Sequence, residues 1–547
     1  MKKRQMSLGA LVLPLATCLF SCQSSKGPTV DPSLNPIGLE EGNGDLGISS
    51  TPNNEGGSLH YEIFVRSFCD SDGDGIGDFN GVASKADYLQ SLGIGEVWLM
   101  PIGPSPSYHG YDVSDYYSVN PDFGTMEEFE AMVDTLNEHG IRVTIDMVLN
   151  HSANTNPWFN ESCEDYSEGY QGADSKADWY MWSDTQVSGN YHNYLGKYYL
   201  GAFSPSMPDF NWDSPSLRSE MKKILQFWIG KGVQGYRLDA VRYYYEENVA
   251  KNIEALDYIA ECCREVDPDF YIVGENWGNG LDYLDYYASD IDSFFNFNTS
   301  IAYSSGTTII SSAKLLNSGD SYVATVANSQ KAVKEKNPSS YNSFFIANHD
   351  TDRASKSLYG DYAKVGAAIV YLLPGTPYIY YGEEIELWGV RGSEGTDAMR
   401  RLPMVWGEGH EAEECDFPDK TASYLKAEAE QNQVKEGVYD QLGDPFSLLN
   451  VYRKIAEVRN SYPFIRDAQM KAIATKTRNF FAYELIGEGE GEDIVVVING
   501  DDVAAELNLS DYSSFHLDNE VQTMGLKASW KGGKLGLGGY SIAVLSK

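Results

Sequence analysis

Basic residues are scarce in this chain. Its 547 residues carry 41 Lys and Arg against 79 Asp and Glu, a formal net charge of −38. No basic patch survives such a field, which excludes a nucleic-acid partner and suits a neutral one. Cysteine is sparse too, seven in all, with no CxxC or CxH spacing. Neither a zinc site nor a disulfide framework is read from that pattern, although an exported chain has room for one bridge. The only long apolar run, Leu8 to Phe20, is too short to span a bilayer. No Gly-rich phosphate-binding turn follows the first strand-like run, which argues against an open dinucleotide-binding sheet. Apolar residues make up 42% and charged residues 22%, the balance of a globular protein. Aromatics are in surplus, with 38 Tyr and 10 Trp.

The N-terminus reads as a targeting segment. Lys2, Lys3 and Arg4 precede the apolar run, which closes on Leu19-Phe20-Ser21-Cys22. That ending resembles a bacterial lipobox. It implies a signal peptide over 1–21, lipidation of Cys22, and an exported chain anchored on the periplasmic or cell-surface side. A plain secretory signal with a chance cysteine is the alternative. Residues 22–56, rich in Gly, Ser, Pro and Asn, read as a flexible tether.

From residue 57 strand-like and helix-like runs alternate. Strands are expected at His60 to Val65, Gly95 to Met100, Arg142 to Val148, Val233 to Asp239, Phe270 to Glu275, Ser293 to Asn296, Ser343 to Asn348 and Pro377 to Tyr381. Helices are expected at Val82 to Leu92 and Met126 to His139. Eight strands alternating with helices point to an α/β protein, a (β/α)8 TIM barrel over 57–150 and 212–465. Residues 151–211, dense in Trp and Tyr, form an inserted subdomain after the third strand. An acidic stretch, Glu408 to Asp440, follows the eighth. Short strands over 466–547 indicate a C-terminal all-β sandwich.

Acids fall at the C-terminal ends of these strands: Asp146 on the third, Asp239 on the fourth, Glu275 on the fifth and Asp350 beyond the seventh. His151 and His349 stand beside them. A barrel brings such ends to one mouth. Any single acid there is as easily a helix cap, but the set is not explained that way. Arg237 and Asp239 share a face of one strand, so the guanidinium keeps that carboxylate ionised, while crowded neighbours raise another. A split pair of this kind provides a nucleophile and an acid. Separately, Asp70-Ser71-Asp72-Gly73-Asp74-Gly75-Ile76-Gly77-Asp78 alternates acids with glycines and can wrap a hard cation, or be a solvated acidic loop. It opens like an EF-hand, but its twelfth position is Gly81 rather than a bidentate Glu.

Six short motifs carry a resemblance. They are Ser107-Tyr108-His109-Gly110-Tyr111-Asp112, Asp146 to His151, Gly235 to Ala240, Gly274 to Trp277, Phe345 to Asp350, and Gly375 to Glu384. In that order the chain resembles the α-amylase-type enzymes of glycoside hydrolase family thirteen, from about residue 58 onward. The resemblance implies Asp239 as nucleophile, Glu275 as general acid/base and Asp350 as a binder of sugar hydroxyls. It assigns substrate contacts to His109, Tyr111, Asp146, His151, Arg237, His349 and Arg401. It also implies a structural Ca²⁺ held by Asp70, Asp72, Asp74, Asp78 and the Ile76 carbonyl.

Met207-Pro208-Asp209-Phe210-Asn211 resembles the subgroup between oligo-1,6-glucosidases and neopullulanases. Ala240 after the nucleophile implies action on α-1,4 bonds of starch, maltodextrin or malto-oligosaccharides. Arg242-Tyr243, where many α-amylases carry Lys-His, leaves open an α-glucosidase, a cyclomaltodextrinase or a transglycosylase. A non-catalytic glucan-binding lipoprotein would not need Asp239, Glu275 and Asp350 together. A monomer is expected, touching the membrane only through its lipid.

Overall fold

The computed structural model describes residues 31–49, 57–246, 248–278, 282–300, 319–391, 397–418 and 423–547. Eight parallel strands form the central sheet: β1 Leu59–Ile63, β2 Ile94–Leu99, β3 Arg142–Met147, β4 Gly235–Leu238, β5 Tyr271–Gly274, β6 Ser293–Phe295, β7 Tyr341–Ser343 and β8 Tyr378–Tyr380. Their order is β7-β6-β5-β4-β3-β2-β1-β8. A single parallel bridge, Phe345 to Tyr378, completes the ring. This is the expected barrel. The strand residues are buried almost throughout because both faces are covered, one by helices and the other by the barrel's own filling.

The filling is aromatic. Trp98, Phe295, Phe345 and Tyr378 pack as one buried cluster on the barrel axis. Trp98 lies uppermost, its ring 5.1 Å from the Arg237 guanidinium carbon and 5.6 Å from the His349 ring. Beneath it, Tyr378 meets His60 at 4.7 Å. The axis is therefore plugged between the two ends of the barrel.

Two expected elements are displaced. The seventh strand starts two residues before the apolar run Ser343 to Asn348: its ladder is Tyr341–Ser343, followed by the Phe345 bridge. The Phe344 carbonyl accepts the Tyr378 N–H at 2.7 Å and Phe345 bridges Tyr378, while from Ile346 on the run marks burial rather than strand pairing. The polar Asn342 and Ser343 pair instead through buried bonds to Asn296 and Ser293. The helix expected over Val82 to Leu92 is two short ones, Phe79–Ser84 and Ala86–Ser91. They break at Lys85, which lies 4.1 Å over the Trp406 ring and pairs with Glu413.

The insertion folds as a helix, Pro157–Glu168, with a three-stranded sheet of Trp182–Ser183, Tyr191–Tyr194 and Lys197–Leu200. Much of its aromatic content packs inward: Trp158 stacks on Tyr116 at 5.5 Å, and Trp182 on Tyr166 at 4.9 Å. The C-terminal region forms a five-stranded and a three-stranded antiparallel sheet. Val495, Val497 and Leu545 of the first share a core with Leu507, Leu535 and Leu537 of the second, which makes a sandwich.

The tether expected over 22–56 needs correction within its described part. Residues 34–42 are bonded along the sandwich, and Gly47 and Ser49 to Lys454 and Glu457 of the helix Leu448–Asn460. Glu41 bridges Leu526, Ala504 donates to Leu34, and Lys527 donates to Glu40. Ile37 and Leu39 lie against Gly536, and Leu46 is buried. Composition suggested a linker, but backbone pairing and the buried Leu46 order it. Cys22 and the signal segment lie outside the described residues. No described helix is long and apolar enough to cross a membrane.

Candidate active site

The site is built on Arg237. It stands opposite Asp146 in the β3–β4 ladder and two residues before Asp239, which directly follows β4. Its side chain is 1% exposed. Nη1 donates to both oxygens of Asp146 at 3.1 Å and to Asp239 Oδ1 at 2.7 Å, while Nη2 lies 3.3 Å from Glu275 Oε2. A guanidinium so deeply buried is tolerated only when carboxylates surround it. One cation thus gathers acids from the C-terminal ends of β3, β4 and β5.

Those acids differ in environment. Burial, with the charges of Asp239 and Asp350 adding to it, lifts the Glu275 carboxyl to about 7 against the pull of Arg237. Burial likewise raises Asp146 to about 7, again opposed by Arg237. Burial alone would raise Asp350, but His349 and then Arg401 and Arg237 hold it well below the usual carboxylate range. Arg401 Nη2 contacts Asp350 Oδ1 at 3.0 Å and its Nε donates to the His349 carbonyl at 3.2 Å.

The backbone fixes Glu275 against Asp239. Ala240, next to Asp239, has φ +48°, a left-handed conformation that costs a non-glycine residue about 1–3 kcal/mol. In that conformation its N–H donates to Glu275 Oε2 at 3.1 Å, and Val241 donates to the Glu275 carbonyl at 3.2 Å.

His349 ties in the opposite wall. Its Nδ1 pairs with Glu62 on β1 and its Nε2 lies 3.1 Å from Asp350 Oδ2. Burial would discharge the ring, but the carboxylates of Asp350 and Glu62 raise it to about 9, so both nitrogens carry protons at neutral pH. Tyr111 is bonded to His349 Nε2 at 2.7 Å, donates to Asp146 Oδ2 at 3.0 Å, and stacks on the imidazole at 5.5 Å. His151 Nε2 donates to the Tyr111 carbonyl at 3.1 Å, and His109 Nδ1 accepts the Tyr111 N–H at 3.1 Å. Burial pushes both of these histidines down, toward neutral imidazoles.

All ten sequence-derived catalytic and substrate residues therefore lie in one connected network. Sequence reasoning missed Glu62. The signal was available: an acid on the inner run of the first strand, 1% exposed in the fold. Two exposed aromatics rim the mouth. Trp277 stacks on Phe297 at 4.7 Å, and Phe203 meets Tyr243 at 4.8 Å and His151 at 5.5 Å.

In the acidic loop, carboxylate oxygens of Asp70, Asp72 and Asp78 come within 4.8 Å of one another. Asp74 stands apart from that set, its Oδ1 accepting the Ile76 N–H at 2.7 Å. The acidic stretch after β8 clamps the loop: the Asp70 backbone N–H donates to the Glu413 carbonyl at 3.0 Å and the Asp416 N–H to that of Gly75 at 2.8 Å. The five described cysteines are free and buried.

A family model described as the α-amylase catalytic domain matches residues 62–468. The chain belongs to the α-amylase family. Alpha-amylase 3 of Dictyoglomus thermophilum is 35% identical over 504 residues, covering 89% of this chain and 93% of its own. The oligo-1,6-glucosidase of Parageobacillus thermoglucosidasius is 29% identical and covers 74% of this chain and 83% of its own. Among solved structures, Eubacterium rectale Amy13B superposes with a TM-score of 0.83 at 31% identity, covering 91% and 97%. The α-amylase from H. orenii gives 0.77 at 30%, covering 90% and 100%. The chain is an α-amylase-type glycoside hydrolase of family thirteen, acting on α-glucans.

Proposed function

We propose that the enzyme cleaves α-1,4-glucosidic bonds of starch, maltodextrin or malto-oligosaccharides with retention of configuration. Asp239 attacks the anomeric carbon and Glu275 protonates the departing oxygen. Water, deprotonated by Glu275, then releases the glycosyl-enzyme. The observation that carries this reading is the bridge made by Arg237. One guanidinium contacts both carboxylates, 2.7 Å from Asp239 and 3.3 Å from Glu275, while burial raises Glu275 to about 7. An acid that is half protonated near neutral pH can give a proton and take it back. Asp350, kept anionic by His349 and Arg401, accepts hydrogen bonds from ring hydroxyls. Tyr111, His109 and His151 shape the non-reducing side of the cut.

A structural Ca²⁺ fits the loop before the first barrel helix. Three carboxylates facing one point offer the hard oxygens that this cation takes, and without it they would repel. Asp70, Asp72 and Asp78 would hold it, tying the loop to the stretch around Glu413. Export and anchoring through lipidated Cys22 complete the reading, with the monomer as the working unit.

A second reading, an α-glucosidase, oligo-1,6-glucosidase or transglycosylase, draws on Arg242-Tyr243 and on relatives named oligo-1,6-glucosidase. Chromatography of products from maltoheptaose, starch, β-cyclodextrin, pullulan and isomaltose separates the two. Early mid-length fragments from starch with isomaltose untouched support the α-1,4 endo-acting enzyme. Glucose alone from the outset, or cleavage of isomaltose, supports the second reading.

A further inference from the structure

The barrel has a second opening. At its N-terminal end, opposite the carboxylate mouth, lies a cavity of about 680 Å³, within the roughly 300–1,000 Å³ range of small-ligand sites. Its inner surface is polar. His60, 8% exposed, has a ring nitrogen, Nδ1, without a hydrogen-bond partner, and Nε of Arg142 also has none. Both nitrogens face the same carboxylate at 3.7 Å: His60 Nδ1 to Glu96 Oε1, and Arg142 Nε to Glu96 Oε2. That spacing is too long for direct bonds. It suits a group beside them that both donates and accepts, which is what a hydroxyl does.

Charge excludes an anion. Around the rim, Arg264 is committed to the Asp290 carbonyl and to Asp292 Oδ2, and Arg466 to Asp467. Asp269 adds a further exposed carboxylate to the lining. Arg142 faces Glu96 and donates to the Gln234 carbonyl, and the acids Glu96, Asp269, Asp290, Asp292 and Asp467 outnumber the three arginines of the lining. A phosphate or an acid is repelled, while a neutral molecule meets donors and acceptors in pairs. Tyr271 and Tyr341 add aromatic walls. We infer that this basal cavity binds a small neutral polyhydroxylated molecule, of the size of a mono- or disaccharide, with a hydroxyl seated between His60, Glu96 and Arg142. The site is separate from the reaction proposed above and stands or falls without it. Tyr378, in contact with both His60 and Trp98, divides it from the carboxylate mouth.

The test soaks crystals of the full chain in glucose and, separately, in maltose, and measures glucose binding in solution by NMR titration. Ser339, exposed on the cavity's rim, is replaced by a plug, Ser339→Trp. The expected result is a sugar ring in the basal cavity with a hydroxyl bridging His60 and Glu96. The solution Kd for that site should weaken more than tenfold in Ser339→Trp, while kcat/KM on maltoheptaose is unchanged. Ordered water only or an adventitious additive only in the cavity, with sugar found solely at the carboxylate mouth, would overturn the assignment. The soak decides the question even if Ser339→Trp fails to fold.

Discussion

Arg237 organises the chemistry because a cation with 1% exposure must be neutralised by whatever surrounds it. The carboxylates it gathers are then sorted by what else they touch. Glu275, raised to about 7 mainly by burial, is the group whose protonation the first step needs. kcat/KM should therefore fall as pH rises through about 7, and that limb should vanish in Glu275→Gln. The same change should cost about 10²–10⁴-fold in kcat on starch; equal release of reducing sugar by both proteins would sink the role. His349 gives a second prediction, in stability. Its folded value, raised from 6.5 to about 9 against the effect of burial by Asp350 and Glu62, exceeds its unfolded one. Its contribution is thus complete below about 6.5 and is lost as pH climbs through about 9. The stability gap between wild type and His349→Gln, read from urea melts, should be widest at pH 6 and narrow by pH 9.

At the scale of elements, the acidic loop and the stretch around Glu413 behave as one clamp. If Asp70, Asp72 and Asp78 share a Ca²⁺, chelator should lower Tm, and Asp72→Asn should lower Tm and blunt that response. A chelator-insensitive Tm would remove the cation from the account. Much at this scale was readable beforehand. Residue alternation put Arg237 and Asp239 on one face, and the acids at strand ends marked the mouth before any geometry was known. What escaped had physical reasons. The run from Ile346 to Asn348 mimicked a strand because apolar runs report burial, and a fully buried loop is as apolar as a ladder; only Ser343 to Phe345 pairs with a neighbour. Residues 31–49 mimicked a linker because backbone pairing to the sandwich, at Glu41 and Leu526, leaves no trace in composition. Glu62 was hidden among apolar neighbours, and its partner His349 is 287 positions away.

For the whole molecule, the barrel is a plugged tube with a polar chamber at each end. Trp98, Phe295 and Tyr378 fill the axis. The upper chamber holds the charged network and is covered by the inserted subdomain, whose return brings Asp209 beside His151. The central claim is that Asp239 bonds to sugar while Glu275 moves the proton. A maltosyl fluoride tests it in Glu275→Gln: fluoride leaves without an acid, but water then attacks slowly without a base, so the intermediate accumulates. Peptide mass mapping of the quenched reaction should find one added maltosyl group on the peptide bearing Asp239. An adduct on Asp146 or Asp350, or turnover to product of inverted configuration with no adduct, would contradict the account.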